Sequence, residues 1–95
     1  MVNPESRGQV SRLATHGPLL DWPRGRPFRI AGLPPALADD LVAEGLAPGA
    51  VARVDVQAPF GGPLLVRVGR ARVAISAAVA AAVEVAAVEP LEPPP

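Results

Sequence analysis

A small, mainly β domain with one short α-helix inserted after its first strand is the fold class this sequence predicts. Three observations carry that reading. From Ala50 to Ile75 the chain holds three short runs in which apolar residues alternate with others, the period of a half-buried strand. The runs are separated by Pro59-Phe60-Gly61-Gly62-Pro63 and by Gly69-Arg70, both turn-forming stretches. They are entered through Gly45-Leu46-Ala47-Pro48-Gly49, whose composition suits the end of a helix.

The elements follow in chain order. Residues 1–25 mix Gly, Pro, Ser and Arg with few apolar residues and read as a mobile arm. Leu19, Leu20 and Trp22 are apolar within it and suited to docking, on the domain or on a partner. The ordered domain is expected over 26–88. Arg26 to Gly32 is the first strand, with Phe28 and Ile30 on one face and Arg29 on the other. Leu33-Pro34-Pro35 ends it, because proline donates nothing to a ladder. Pro35 suits the first turn of a helix, expected from about 35 to 44. Leu37 and Leu41 form an i, i+4 pair with Ala38 and Val42 beside them, opposite Asp39 and Asp40. Gly45 takes the left-handed position after the helix, and Leu46 supplies the hydrophobic contact that accompanies such a cap.

In the next strand Ala52, Val54 and Val56 are expected to face inward, with Arg53 and Asp55 in water. Leu64, Val66 and Val68 form the following inward set, with Arg67 outside. Gly69-Arg70 fits a two-residue hairpin turn with glycine at its first central position. Val73 and Ile75 continue the inward face, with Arg72 opposite. The alanine-rich stretch after Ser76 reads as a helical turn over about 77–81 followed by a closing strand over about 82–87; an unbroken helix over 76–88 competes with it on propensity. Residues 89–95 form a proline-rich acidic tail, expected to be extended and disordered.

Composition narrows the function classes. The chain has 95 residues, enough for one domain at most, with aromatic content of only 3%. The core must be Val, Ile, Leu and Ala, and a domain this small has no room for a deep active-site cavity. Nine arginines balance nine acidic residues, so no general attraction to nucleic acid or anionic membrane is expected. The absence of cysteine excludes disulfides and thiolate chemistry and suits a cytoplasmic setting. Met1-Val2-Asn3-Pro4-Glu5 does not open a signal peptide. The longest apolar run, Ala77 to Val83, stops at Glu84, far short of the roughly 18–20 residues that span a bilayer. A soluble protein without membrane insertion is expected.

The order of these pieces resembles the FeoA family. Gly45-Leu46, Pro48-Gly49, Ala58-Pro59, Gly61-Gly62-Pro63, Val68-Gly69, Val73-Ala74-Ile75 and Val83-Glu84-Val85 carry the resemblance over about 26–88. It implies a Src-homology-3-like (SH3-like) β-barrel in a small cytosolic protein of bacterial ferrous-iron uptake, non-enzymatic, with transition-metal binding as a property of the family. The partner it implies is the cytosolic GTP-binding region of a FeoB-like membrane transporter. The same barrel occurs at the C-terminus of iron-dependent repressors, which implies an alternative: a regulatory module acting with a metal-dependent repressor. An adaptor unrelated to iron is a third reading. Members typically carry basic residues after the strand that here ends at Ile75, where this chain has Ser76-Ala77-Ala78. The helix, often basic in the family, here carries Asp39, Asp40 and Glu44.

Individual residues offer little chemistry. His16 is the single histidine, and a preformed transition-metal site needs several converging donors. Asp39, Asp40 and Glu44 offer oxygen ligands but equally describe a solvated helix face. Ser6, Ser11, Thr15 and Ser76 have no histidine placed as a base, so no catalytic residue, cofactor or metal ligand is assigned. Gly61-Gly62 lacks the Lys-Ser/Thr ending of a phosphate loop. What remains is partner contact. Phe60 is an apolar residue at a loop tip, to be covered by the arm, by the barrel end or by a partner. Arg53, Arg67, Arg70 and Arg72 form either a basic strip for an acidic partner or cross-strand pairs with Asp55 and Glu84. Leu41 joins these candidates as part of the surface near the helix. Self-association is left open: the β-unit has edges, and its proline-rich ends read as protection against edge pairing.

Overall fold

A computed structural model describes residues 15–88. Six strands form one antiparallel sheet: β1 His16–Pro18, β2 Phe28–Gly32, β3 Val51–Gln57, β4 Leu64–Val68, β5 Ala71–Ile75 and β6 Glu84–Ala87. Their spatial order is β1-β6-β2-β3-β4-β5. Two helices interrupt them, α1 Ala38–Ala43 and α2 Ala77–Ala82, with short 3-10 turns at Leu19–Asp21 and Pro35–Leu37. The fold is therefore mainly β, with a short helix after the first long strand.

Local chemistry explains the element ends. The segment expected to be helical from Pro35 starts as a 3-10 turn and becomes α at Ala38. Its end is fixed by two backbone bonds, Gly45 N–H to Val42 O and Leu46 N–H to Leu41 O, both 2.9 Å. With Gly45 at φ +102°, this is the Schellman arrangement, and Leu46 is carried into the core at 1% exposure. Ser76 caps α2 by accepting from the Val79 N–H at 3.2 Å. β6 then begins at Glu84, so the stretch after Ser76 is a helix and a strand, not one unbroken helix. Val83, between them, is buried.

The core is aliphatic with two aromatics, and no polar or charged residue among those described is buried. Phe28 and Ile30 of β2, Ala52 and Val54 of β3, Leu64 and Val66 of β4, Val73 and Ile75 of β5, and Val85 of β6 face it. Three expectations are corrected. Val56 is 44% exposed, because the β3–β4 register shifts between Val54 and Val56. The extra residue of that bulge, Asp55, moves Val56 onto the outer face. Val42 is exposed as well, since only the Leu41 side of α1, together with Leu37 of the preceding 3-10 turn, reaches the core.

The third correction concerns the segment before β2. Residues 15–25, assigned to a mobile arm, hold β1 and a 3-10 turn, and Leu19 and Trp22 are core residues. Leu19 N–H donates to Val83 O at 2.8 Å and Gly25 N–H to Val54 O at 3.0 Å. Trp22 meets Phe28 edge to face with ring centroids 6.5 Å apart, its Nε1 donates to Arg26 O, and the Arg26 guanidinium lies 4.4 Å over its ring. Burial of two large side chains supplies the driving force that composition alone did not reveal. Residues 1–14 and the tail over 89–95 lie outside the described residues.

Candidate functional site

Strand register sets the arginines in one row. Arg53 of β3 lies opposite Arg67 of β4, and Arg67 lies opposite Arg72 of β5. All three point away from the core, as the alternation of β3, β4 and β5 requires. Like charges directly opposite one another disfavour the sheet. Asp55 offsets part of that cost: its Oδ2 accepts from Arg67 Nε at 2.9 Å and lies 3.5 Å from Arg72 Nε. Glu84, the other partner expected for these arginines, is on β6 opposite Pro18 and Gly32 and does not reach them. Arg53 and the turn residue Arg70 have no ion-pair partner among the described residues. The row thus sets three guanidinium groups against one carboxylate, with a fourth, Arg70, at the adjoining turn. A hollow of about 260 Å³ beside Arg53 and Arg67 is also lined by Pro27, Val51 and Gly69.

The bulge gives this face a second character. Val56, Leu65 and Ala74 are register partners across β3, β4 and β5, and all three lie on the outer side, next to the arginine row. No sequence signal marks the bulge, because Asp55 alternates correctly with its neighbours.

Phe60 is elsewhere, at the tip of the β3–β4 connection. Ala58 N–H bonds Pro63 O at 3.0 Å and Gly62 N–H bonds Pro59 O at 3.2 Å. Phe60 has φ +58° and Gly61 φ +76°, the φ signature of a type I′ turn. Gly62 is required by close approach, since a Cβ there would lie 2.6 Å from the Ala58 Cβ. Phe60 is 102% exposed, so neither the arm nor the barrel end covers it among the described residues. It borders an open hollow of about 470 Å³ with Arg24, Gln57 and Pro59. A non-glycine residue at positive φ costs on the order of 1–3 kcal/mol, and no side-chain contact among the described residues compensates. Arg24, assigned to the arm, is the neighbour that sequence reasoning missed.

Leu41 is separate from both. It is a core residue at 8% exposure and contributes to the surface only as one wall of a groove of about 140 Å³, with Leu37, Asp40, Ala74, Ile75, Ser76 and Val79. The candidate residues therefore divide among three places: the arginines on the outer sheet face and its Gly69-Arg70 turn, Phe60 at the opposite end of β4, and Leu41 under α1. Asp39, Asp40 and Glu44 do not converge, and no cluster of three or more His, Cys, Asp or Glu occurs among the described residues.

Comparison with known proteins places this architecture. No curated protein matches the sequence significantly. The chain resembles the crystal structure of the iron uptake regulatory protein FeoA, with 31% identity over 75% of this chain and 94% of the other and a TM-score of 0.66. It is also similar to iron(II) transport protein A from Clostridium thermocellum, at 29% identity and TM-score 0.68, covering 75% of this chain and 45% of that one. A manganese-dependent transcriptional repressor shares the fold at 20% identity and TM-score 0.68, with 77% of this chain matched to 42% of the repressor. The sequence profile of the FeoA domain matches residues 1–87, and the chain belongs to the FeoA domain family.

Proposed function

We propose that this protein is a non-enzymatic, cytosolic accessory of bacterial ferrous-iron uptake that acts by contact with the GTP-binding region of a FeoB-type transporter. Membership of the FeoA family supports an iron-related role. No helix among the described residues is long and apolar enough to cross a membrane, which is consistent with a protein that works beside a transporter rather than within the bilayer. The observation that carries the contact reading is Phe60: fully exposed, at positive φ and without a side-chain contact among the described residues. Backbone strain held at an exposed aromatic is favoured when binding energy offsets it, and aromatic residues are the usual anchors of protein interfaces. The arginine row supplies charge that accelerates encounter with an acidic surface rather than most of the affinity.

The test is titration of the full chain against the soluble GTP-binding region of the transporter, following binding by calorimetry and nucleotide turnover in parallel. Binding that Phe60→Ala weakens supports the proposal. Absence of a complex together with unchanged turnover removes it.

A further inference from the structure

The two ends of the sheet differ. Among the described residues β1 and β5 are its edge strands. β1 is short and contains Gly17 and Pro18, features that blunt an edge. β5 has five residues with neither proline nor bulge, and Arg72 is the single charged residue on it.

Hairpin geometry shows which of its backbone groups are open. The two-residue turn makes Val68 and Ala71 a hydrogen-bonded pair. The pairs then alternate, so Arg67–Arg72 and Leu65–Ala74 are non-hydrogen-bonded pairs, and the N–H and C=O of Arg72 and Ala74 point away from β4. Neither residue has any other backbone hydrogen bond among the described residues. The groove walled by Leu37, Asp40, Leu41, Ile75 and Val79, with Ala74 and Ser76 at its rim, contains no β4 residue, so it lies on this same open side of β5.

We propose that the open edge of β5 accepts an extended acidic segment of a partner protein by strand addition. The added strand pairs its backbone with Arg72 and Ala74. A carboxylate on its outer face extends the row Arg53–Arg67–Arg72 and adds opposite charge where the row has an excess of guanidinium. The next side chain along, on the inner face, is apolar and enters the groove beside Ile75. Charge complementarity selects this occupant over a second copy of the chain, because pairing β5 with β5 would bring Arg72 against the arginines of its mate. The proposal rests on the β5 edge and the arginine row, and it stands or falls independently of the transporter reading.

The experiment is amide hydrogen exchange by NMR on the full chain, with a short peptide alternating valine and glutamate and, as control, one alternating valine and lysine. The expected result is slowed exchange at the Arg72 and Ala74 amides with the glutamate peptide alone. Ala74→Pro removes one edge donor without touching a β4 bond, and it should weaken binding about tenfold. Arg72→Glu should reverse the preference, so that the lysine peptide binds; this variant keeps the test decisive if Ala74→Pro fails to fold. No added protection at millimolar peptide, equal protection by both peptides, or amides already protected in the free monomer by the protein's own residues would each overturn the proposal. Protection present without peptide that disappears as the protein is diluted would assign the edge to a second copy, and would overturn it too.

Discussion

Asp55 and Arg67 lie on neighbouring strands without being register partners, yet Asp55 Oδ2 accepts from Arg67 Nε at 2.9 Å. The residue opposite Arg67 is Arg53, and the carboxylate reaches the guanidinium because Asp55 occupies the β3 bulge. One acidic side chain is thereby set beside two arginines of the outer row.

Removing it should matter more for electrostatics than for packing. Arg67 is 42% exposed in its side chain, so solvent screens the pair, and Asp55→Ala should cost below about 1 kcal/mol. The three arginines would then repel without relief, and the loss should shrink as salt rises. Melting temperatures of both proteins in low and high sodium chloride check this; a salt-independent difference would point to the bulge instead.

Phe60→Asn separates stability from binding. Asparagine tolerates the left-handed region, and the replaced ring, at 102% exposure, has no internal contact among the described residues. The variant should be as stable as the parent or more so, by up to about 1 kcal/mol, while losing affinity for the transporter's GTP-binding region. Urea unfolding reads the first effect and calorimetry the second.

The bulge predicts an asymmetry within one strand. Val54→Thr places a hydroxyl at a position 1% exposed, with a cost of about 1–3 kcal/mol. Val56→Thr, at 44% exposure, should stay within about 0.5 kcal/mol. Parallel urea curves decide; equal costs would mean that Val56 faces the core in solution.

Leu19→Ala tests the segment before β2. Leu19 is 0% exposed and packs within the core cluster, so truncation should cost about 2–5 kcal/mol. A change below 1 kcal/mol would show that β1 and its 3-10 turn are dispensable to the domain.

Glycine positions offer a control whose sign is fixed by geometry. Gly45 has φ +102°, and a Cβ there would meet Val68 Cγ1 at 3.5 Å, an ordinary contact. Gly45→Ala should therefore cost only the left-handed backbone penalty, about 1–2 kcal/mol. Gly62→Ala should add a clash with Ala58, at 2.6 Å, and shift the tip that carries Phe60. Comparing the two variants for stability and for transporter binding links turn geometry to the contact.

Most of the β-unit was legible in the sequence because its signals are local. Alternation in Ala52-Arg53-Val54, Leu64-Leu65-Val66 and Arg72-Val73-Ala74-Ile75 is a property of neighbouring residues, and so is the Gly45-Leu46 cap. The resemblance to the FeoA family rests on the same turn residues, and the match over residues 1–87 bears it out. The surface was legible only in part. The arginines could be placed outward, but their alignment in one row depends on the registers of two hairpins.

Three properties were decided by tertiary structure alone. Leu19 and Trp22 sit in a segment whose composition suits a mobile arm, and they are ordered because β6 and β2 offer them a buried place. Val56 faces water because a bulge consumes one residue of β3, which depends on the pairing with β4 and not on the order of residues. Leu41 is 8% exposed and reaches the surface only as a wall of the groove beside Ile75 and Val79, because α1 turns that side inward. Sequence by itself determined the strands from β2 to β6, the helix stop and the family; long-range pairing decided where β1 docks and which side chains remain exposed.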